Sequence, residues 1–289
     1  MSLLLPATYS FAQSYSGQSD TISVLRCYKT CDTIEICNIR EITRHYTHWN
    51  FNLDTVRLLK EVPRLYVNSF PKELKNASYK DKKKVFIGTT LAAVLKANEE
   101  IGYERNEIEC LSKKDTLSDY DSLFLSEIKR KYYAESFEEM LHKVDGLPPS
   151  LVIAQGINES GWGTSFFSIY ANSIFGMKAP SKSSLPTIKH PVHSFVTYKF
   201  CSLEEGIKEY MLNINRHRLY KPLRDIRYAK RKNNILITGP ALLKGMKRYS
   251  SRGQVYVNTI QKVITIYDLQ EFDSCFLASG RSLYLSHIK

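Results

Sequence analysis

The sequence predicts an α+β protein that is mainly helical and carries one small β lobe. Between Leu53 and Val144, apolar residues recur at three- and four-residue steps, the spacing of one helix face. The pair Pro148-Pro149 then opens a further, largely apolar helix, because proline suits the first helical turn and no position deeper in it. Residues 172–200 are punctuated by Gly, Pro and Ser and rich in Val, Ile, Phe and Tyr, which suits short strands.

Taken in order, Met1 to Ala12 contains Leu3-Leu4-Leu5 and ends in a small residue, so it reads either as the end of a secretory signal or as a loose terminus. Residues 13–50 mix Ser, Thr, Cys and charges without a period, and together 1–52 read as a signal-like terminus and irregular arm. A helical scaffold is expected over 53–145. Val56, Leu59 and Leu65 share a face before a break at Pro63 and a loop at Phe70-Pro71. Val85, Phe86, Thr89, Leu91, Ala92, Leu95 and Ala97 mark a helix over Lys82 to Ile101, and Tyr120, Leu123, Phe124, Ile128, Tyr132, Phe137 and Leu141 mark another over Ser118 to Val144. A second unit is expected over 146–273. Its first helix carries Leu151, Val152, Ala154, Gln155 and Ile157 and stops at Ser160-Gly161, where glycine permits a left-handed exit. After the β lobe, Ser202 with Glu205 three residues on forms a capping box, and helices follow near 222–231, 240–248 and 253–270. Residues 274–289 read as a tail.

Charge is unevenly placed. Of 41 basic and 29 acidic side chains, residues 147–273 hold 18 and 8, so nearly all of the +12 belongs to that unit. A basic surface attracts nucleic acid, acidic lipid or an anionic polysaccharide by the same long-range field. The densest run, Arg216 to Lys232, has no accompanying nucleic-acid recognition motif, so nucleic acid is not an expected partner. No stretch approaches 18 apolar residues, which excludes a helical membrane span in the body of the chain. The six cysteines form no CxxC pair, and no metal site is predicted. Cys27 and Cys37 can pair in an oxidising compartment, while Cys201 in a β-like stretch reads as a small buried residue.

One carboxylate stands out for chemistry. Cleaving a glycosidic bond requires a proton for the leaving oxygen, delivered by a carboxylic acid shielded from water. Glu159 falls in the last turn of the apolar helix, with Trp162 and Phe166 following to shield it. By position alone, an ordinary surface glutamate before a glycine turn is the competing reading.

The segment Ala154-Gln155-Gly156-Ile157-Asn158-Glu159-Ser160-Gly161-Trp162-Gly163-Thr164-Ser165, followed by Ala171-Asn172-Ser173-Ile174-Phe175-Gly176-Met177-Lys178, resembles the signature of glucosaminidases of glycoside hydrolase family 73. Phe195 to Tyr198, Ser202 to Tyr210, Asn213 to Arg224 and Arg248 to Val257 resemble the Bax-like branch of that family, as do Val62 to Tyr66 and Lys82 to Glu104 upstream. The resemblance spans roughly 60–272. It implies a lysozyme-like domain over 146–273, with Glu159 as catalytic acid, cell-wall glycan as the partner, no metal or organic cofactor, and a periplasmic or secreted location in a bacterial envelope. It further implies that Ser160, Trp162 and Gly163 shape the turn behind the acid and that Asn172, Phe175, Gly176 and Lys178 begin the β lobe. Tyr249 falls where the family has a cleft tyrosine, which would bond the sugar or the acid unless it is an amphipathic core residue. Ser160, Trp162, Asn172, Phe175, Lys178, Tyr198 and Tyr256 are the candidate substrate-binding residues.

The usual second carboxylate is missing, since residues 160–203 contain no Asp or Glu. Glu204 and Glu205 are nearest, and both fit the first turn of a helix better than a catalytic role. Attack by the substrate's own 2-acetamido oxygen would replace that carboxylate, and attack by a sugar hydroxyl would make the chain a lytic transglycosylase. A wall-binding protein without activity is the reading from a different class.

Overall fold

The computed structural model describes residues 32–180, 183, 185–192, 194 and 196–287. The signal-like segment Met1 to Ala12, Cys27 and Phe195 lie outside these. Among the described residues the chain alternates strands β1 (Asp32–Ile36), β2 (Glu61–Val62), β3 (Leu65–Val67), β4 (Thr187–Lys189), β5 (Val196–Tyr198), β6 (Phe276–Leu277) and β7 (Leu283–His287) with helices. These are α1 (Ile39–His48), α2 (Leu53–Leu59), α3 (Tyr79–Leu111), α4 (Asp119–Tyr132), α5 (Phe137–Lys143), α6 (Pro149–Ser160), α7 (Phe166–Ala171), α8 (Leu203–Arg216), α9 (Lys221–Lys232), α10 (Gly239–Leu243) and α11 (Gln254–Ile266). The mainly helical α+β class expected from the sequence is the class observed, and among the described residues no helix is long and apolar enough to cross a membrane.

At the centre is α3, whose 33 residues make a rod of about 50 Å. Its segment Val85 to Leu95 is buried without interruption, and the helix as a whole packs against α1, α5, α6, α8 and β3. The expected helix over 82–101 is therefore longer at both ends, begun by the Ser78 side chain accepting from the Asp81 amide at 3.1 Å. The expected helix over 118–144 is two, because Tyr133 exits left-handed (φ 55°) and Ser136 caps a new start. Both sides of the break at 146 contribute to one hydrophobic core, so the scaffold and the second unit are continuous.

Two expectations are corrected. Residues 32–48 are not irregular: Asn38 caps α1 through bonds to the amides of Arg40 (3.0 Å) and Glu41 (3.3 Å), and Ile42 and Tyr46 enter the core. Nor are residues 274–289 a tail. Strand β7 lies between β1 and β3, parallel to both, and β6 pairs in parallel with β2, so the C-terminal residues knit the N-terminal ones together. Leu65 consequently faces the core from β3 rather than from α2, and Leu59 is exposed.

Helix α6 positions the site. Its first turn is anchored by half-buried Asp273, whose carboxylate accepts from the Ser150 amide (2.8 Å), the Ser150 hydroxyl (2.7 Å) and the Gly239 amide (3.0 Å). Every residue from Pro149 to Ile157 is buried, and Gly161 ends the helix with φ 57° as the sequence predicts.

Candidate active site

Directly behind α6 the chain makes three successive left-handed residues, Gly161, Trp162 and Gly163, with φ of 57°, 64° and 76°. The buried Ser160 hydroxyl holds this turn, donating to the Gly156 carbonyl at 2.5 Å and accepting from the Gly163 amide at 2.8 Å. Trp162 is half-buried and meets Phe86, Tyr79 and Tyr267 edge-on, with ring centroids 5.9, 5.8 and 4.9 Å away. Its indole packs behind the turn, and the buried Ser160 hydroxyl is bonded within it, as expected of residues that shape the turn.

Glu159 projects from the last turn of α6 and is exposed, which corrects the expectation of an acid shielded by Trp162 and Phe166. Its carboxylate accepts from the Asn158 side chain at 3.1 Å and meets the hydroxyl of buried Tyr256 on α11. That hydroxyl also accepts from the Gln155 amide group at 2.8 Å, one turn back along α6. Gln155 in turn accepts from the Tyr210 hydroxyl on α8. Tyr249 stacks on Tyr256 with centroids 5.1 Å apart and planes 19° from parallel, and the two side chains hydrogen-bond. Tyr210 and Tyr220 lie 6.5 and 6.1 Å from Tyr249. Burial, followed by the neighbouring Glu159 charge, pushes the Tyr249 phenol well above its ordinary range. Burial likewise raises Tyr256 and Tyr210, so all three act as neutral hydrogen-bonding groups.

Of the other expected residues, Phe175 is buried and stacks on Tyr210 at 3.7 Å, one layer behind Glu159. Asn172 is a left-handed cap of α7 (φ 52°) whose amide donates to the Phe200 carbonyl at 3.0 Å. Lys178 is exposed and bridges Thr197 through its backbone, while Tyr198 is half-buried on β5 beside Phe200. The structure thus gathers Glu159, Tyr249 and Tyr256, and uses Ser160, Trp162, Asn172 and Phe175 as supports. Gln155, Tyr210 and Tyr220 complete the cluster and were not singled out by the sequence. A glutamine inside an otherwise apolar helix, four residues before the acid, is the signal that would have found Gln155.

Neither nearby carboxylate joins the site. Glu204 is bound by Lys96 (2.8 Å) and Lys208 (2.7 Å); burial raises it, but the two lysines outweigh that and hold it below the carboxylate range. Glu205 accepts from the Cys201 amide at 2.6 Å, while its own amide donates to Ser202, so the capping box closes one residue early. Cys201 itself is exposed, contrary to expectation. A cavity of about 790 Å³ opens at the other end of α6, beside Pro148 and Pro149, and its charged walls include Asp145, with which Arg105 and Arg231 both pair. Among the described residues no group of His, Cys, Asp and Glu is arranged to hold a metal.

Residues 134–269 match the glucosaminidase family, described as mannosyl-glycoprotein endo-beta-N-acetylglucosaminidase. Over these residues the chain has a domain of glucosaminidase type. It is also a homologue of the protein bax of Escherichia coli (strain K12), 29% identical over 199 residues that cover 66% of this chain and 72% of the relative. Among solved structures it is similar to the catalytic domain of the autolysin Auto from Listeria monocytogenes, at 18% identity and TM-score 0.35, covering 59% of this chain and 97% of that one. A C-terminally truncated glycoside hydrolase domain of Salmonella typhimurium FlgJ matches at 17% identity and TM-score 0.33, covering 49% and 97%. The glucosaminidase domain contains α6, the left-handed turn and all four tyrosines around Glu159, whereas Phe86 and Tyr79, against which Trp162 packs, precede it.

Proposed function

We propose that this chain is a peptidoglycan hydrolase that cleaves β-1,4 bonds of N-acetylglucosamine-containing cell-wall glycan, with Glu159 as the general acid. The observation that carries the proposal is a lone exposed carboxylate at the end of a buried helix, held against a tyrosine pair within a glucosaminidase domain. In this reading the Glu159 carboxyl gives its proton to the glycosidic oxygen as the bond to the anomeric carbon breaks. The substrate's 2-acetamido oxygen closes on that carbon from the opposite face, since among the described residues neither Glu204 nor Glu205 joins Glu159. Glu159, now a carboxylate, takes a proton from the water that opens the ring intermediate. Tyr256 and Tyr249 keep the carboxyl oriented, and a glycan lying over the exposed Glu159 side chain excludes water from it. A target of this kind puts the working protein outside the cytoplasm, in the periplasm or secreted.

The solitary carboxylate also suits a lytic transglycosylase, in which the sugar's C6 hydroxyl attacks instead of water. Mass spectrometry of fragments released from purified peptidoglycan separates the two. Reducing N-acetylglucosamine ends are expected; 1,6-anhydro ends would establish the transglycosylase, and no fragments from a folded sample would establish a wall-binding protein.

A further inference from the structure

The buried polar chain behind Glu159 has a direction. Gln155 lies one turn before Glu159 on the same side of α6 and is fully buried, so both ends of its amide group must be met inside the protein. At one end its carbonyl oxygen takes the proton of Tyr210, whose ring is held by stacking on Phe175 at 3.7 Å. At the other end its amide nitrogen donates to the Tyr256 oxygen at 2.8 Å. A tyrosine hydroxyl carries one proton, and that of Tyr256 is therefore not spent on Gln155. Tyr249 and the Glu159 carboxylate are the acceptors it meets, and the ionised one makes the stronger bond. With the amide turned over, Gln155 would accept the Tyr256 proton, and Glu159 would face a hydroxyl with only lone pairs to offer.

We infer that Gln155 is a positioning residue for the proton transfer: by donating to Tyr256 it commits the Tyr256 hydroxyl to one oxygen of Glu159 and leaves the other oxygen to carry the proton that the glycosidic oxygen receives. This rests on the proposed glycosidase reading and adds how the acid is aimed. As the glycosidic bond breaks and the carboxyl becomes a carboxylate, the bond from the Tyr256 hydroxyl strengthens, so the relay favours the transition state over the bound substrate. Tyr210 acts at the far end, because its proton on the Gln155 carbonyl keeps the amide from turning over. Neither Gln155 nor Tyr210 needs to touch the glycan, and both act through Tyr256.

The test is a double-mutant cycle on the full chain, with kcat, KM and their pH profiles read from fragments released from purified peptidoglycan. Tyr256→Phe is expected to lower kcat by roughly tenfold at unchanged KM and to move the basic limb of the kcat profile to higher pH, because a carboxyl that has lost a donor gives up its proton less readily. Gln155→Met keeps the length of the side chain and is expected to lower kcat by roughly threefold, with the limb moving the same way. In the Tyr256→Phe background the same substitution is expected to change neither. Tyr210→Phe probes the relay from its far end and is expected to follow the same pattern, so the outcome does not depend on one variant folding. Equal losses from Gln155→Met and Tyr210→Phe in both backgrounds, or a basic limb that neither moves, would reduce Gln155 to packing and overturn the inference while leaving the glycosidase reading standing. Failure of the folded wild type to cleave the wall overturns both.

Discussion

Replacing Gly163 by alanine probes the turn on which the acid depends. At φ 76° an L-residue loses about 1–2 kcal/mol relative to glycine. A Cβ at this position would stand 2.6 Å from Phe70 Cε2 and 3.1 Å from Phe86 Cδ2. Both rings are buried, and they stack on each other at 5.7 Å, so neither can swing aside without disturbing the core around α3. Overpacking of this kind costs about 1–3 kcal/mol, giving a total of about 2–5 kcal/mol. Gly176 is the matched control, because its φ of 59° is also left-handed but nothing lies within 4 Å of its Cβ position. Gly176→Ala should therefore show only the backbone part, about 1–2 kcal/mol. Urea denaturation of the two variants beside the wild type measures the difference. A Gly163→Ala penalty no larger than that of Gly176→Ala would refute the close-packing argument.

Other outcomes follow from the same geometry. Tyr256→Phe removes the hydroxyl shared by Gln155 and Glu159, and should lower stability by about 1 kcal/mol and turnover by roughly tenfold, read from melts and product release. Arg227→Ala strips five hydrogen bonds from a fully buried guanidinium beside Asp145 and should cost about 3–5 kcal/mol in denaturant titrations. Asp273 gives a pH signature: burial lifts its carboxyl from 3.8 to about 6 despite its three donors, so the native state holds a proton that the unfolded chain has released. Its contribution is greatest below pH 4 and is lost as the pH rises to 6, a change of up to about 3 kcal/mol. In Asp273→Asn that part of the pH–stability profile should vanish; an unchanged slope between pH 4 and 6 would show that another group is responsible.

What could be read from the sequence was local. The Pro148-Pro149 start and Gly161 stop of α6, the Ser202 cap of α8 and the acid-free β lobe follow from residue chemistry within a few positions, and they place Glu159 at a helix end. Helix α1 was missed because only Ile42 and Tyr46 of its ten residues are buried, too few to reveal a period. Strand β7 was missed because its partners lie more than two hundred residues upstream, and five residues show no turn or crossover signal of such pairing. The same distance hid the site's second half. Tyr256 reaches Glu159 only through the packing of α11 on α6, with Tyr249 stacked on it from the preceding loop, and resemblance to a family, rather than periodicity, pointed to them. The shielding expected from Trp162 failed for a physical reason: a left-handed turn carries its indole onto Phe86 and Tyr267.

The central claim is that Glu159 supplies the proton while the rest of the cleft binds. The most direct test measures turnover and wall binding together for Glu159→Gln, which keeps the side chain's shape and removes its acidity. The account predicts that hydrolysis falls by about a thousandfold while pelleting with peptidoglycan is unchanged. Hydrolysis at the wild-type rate in Glu159→Gln would contradict it.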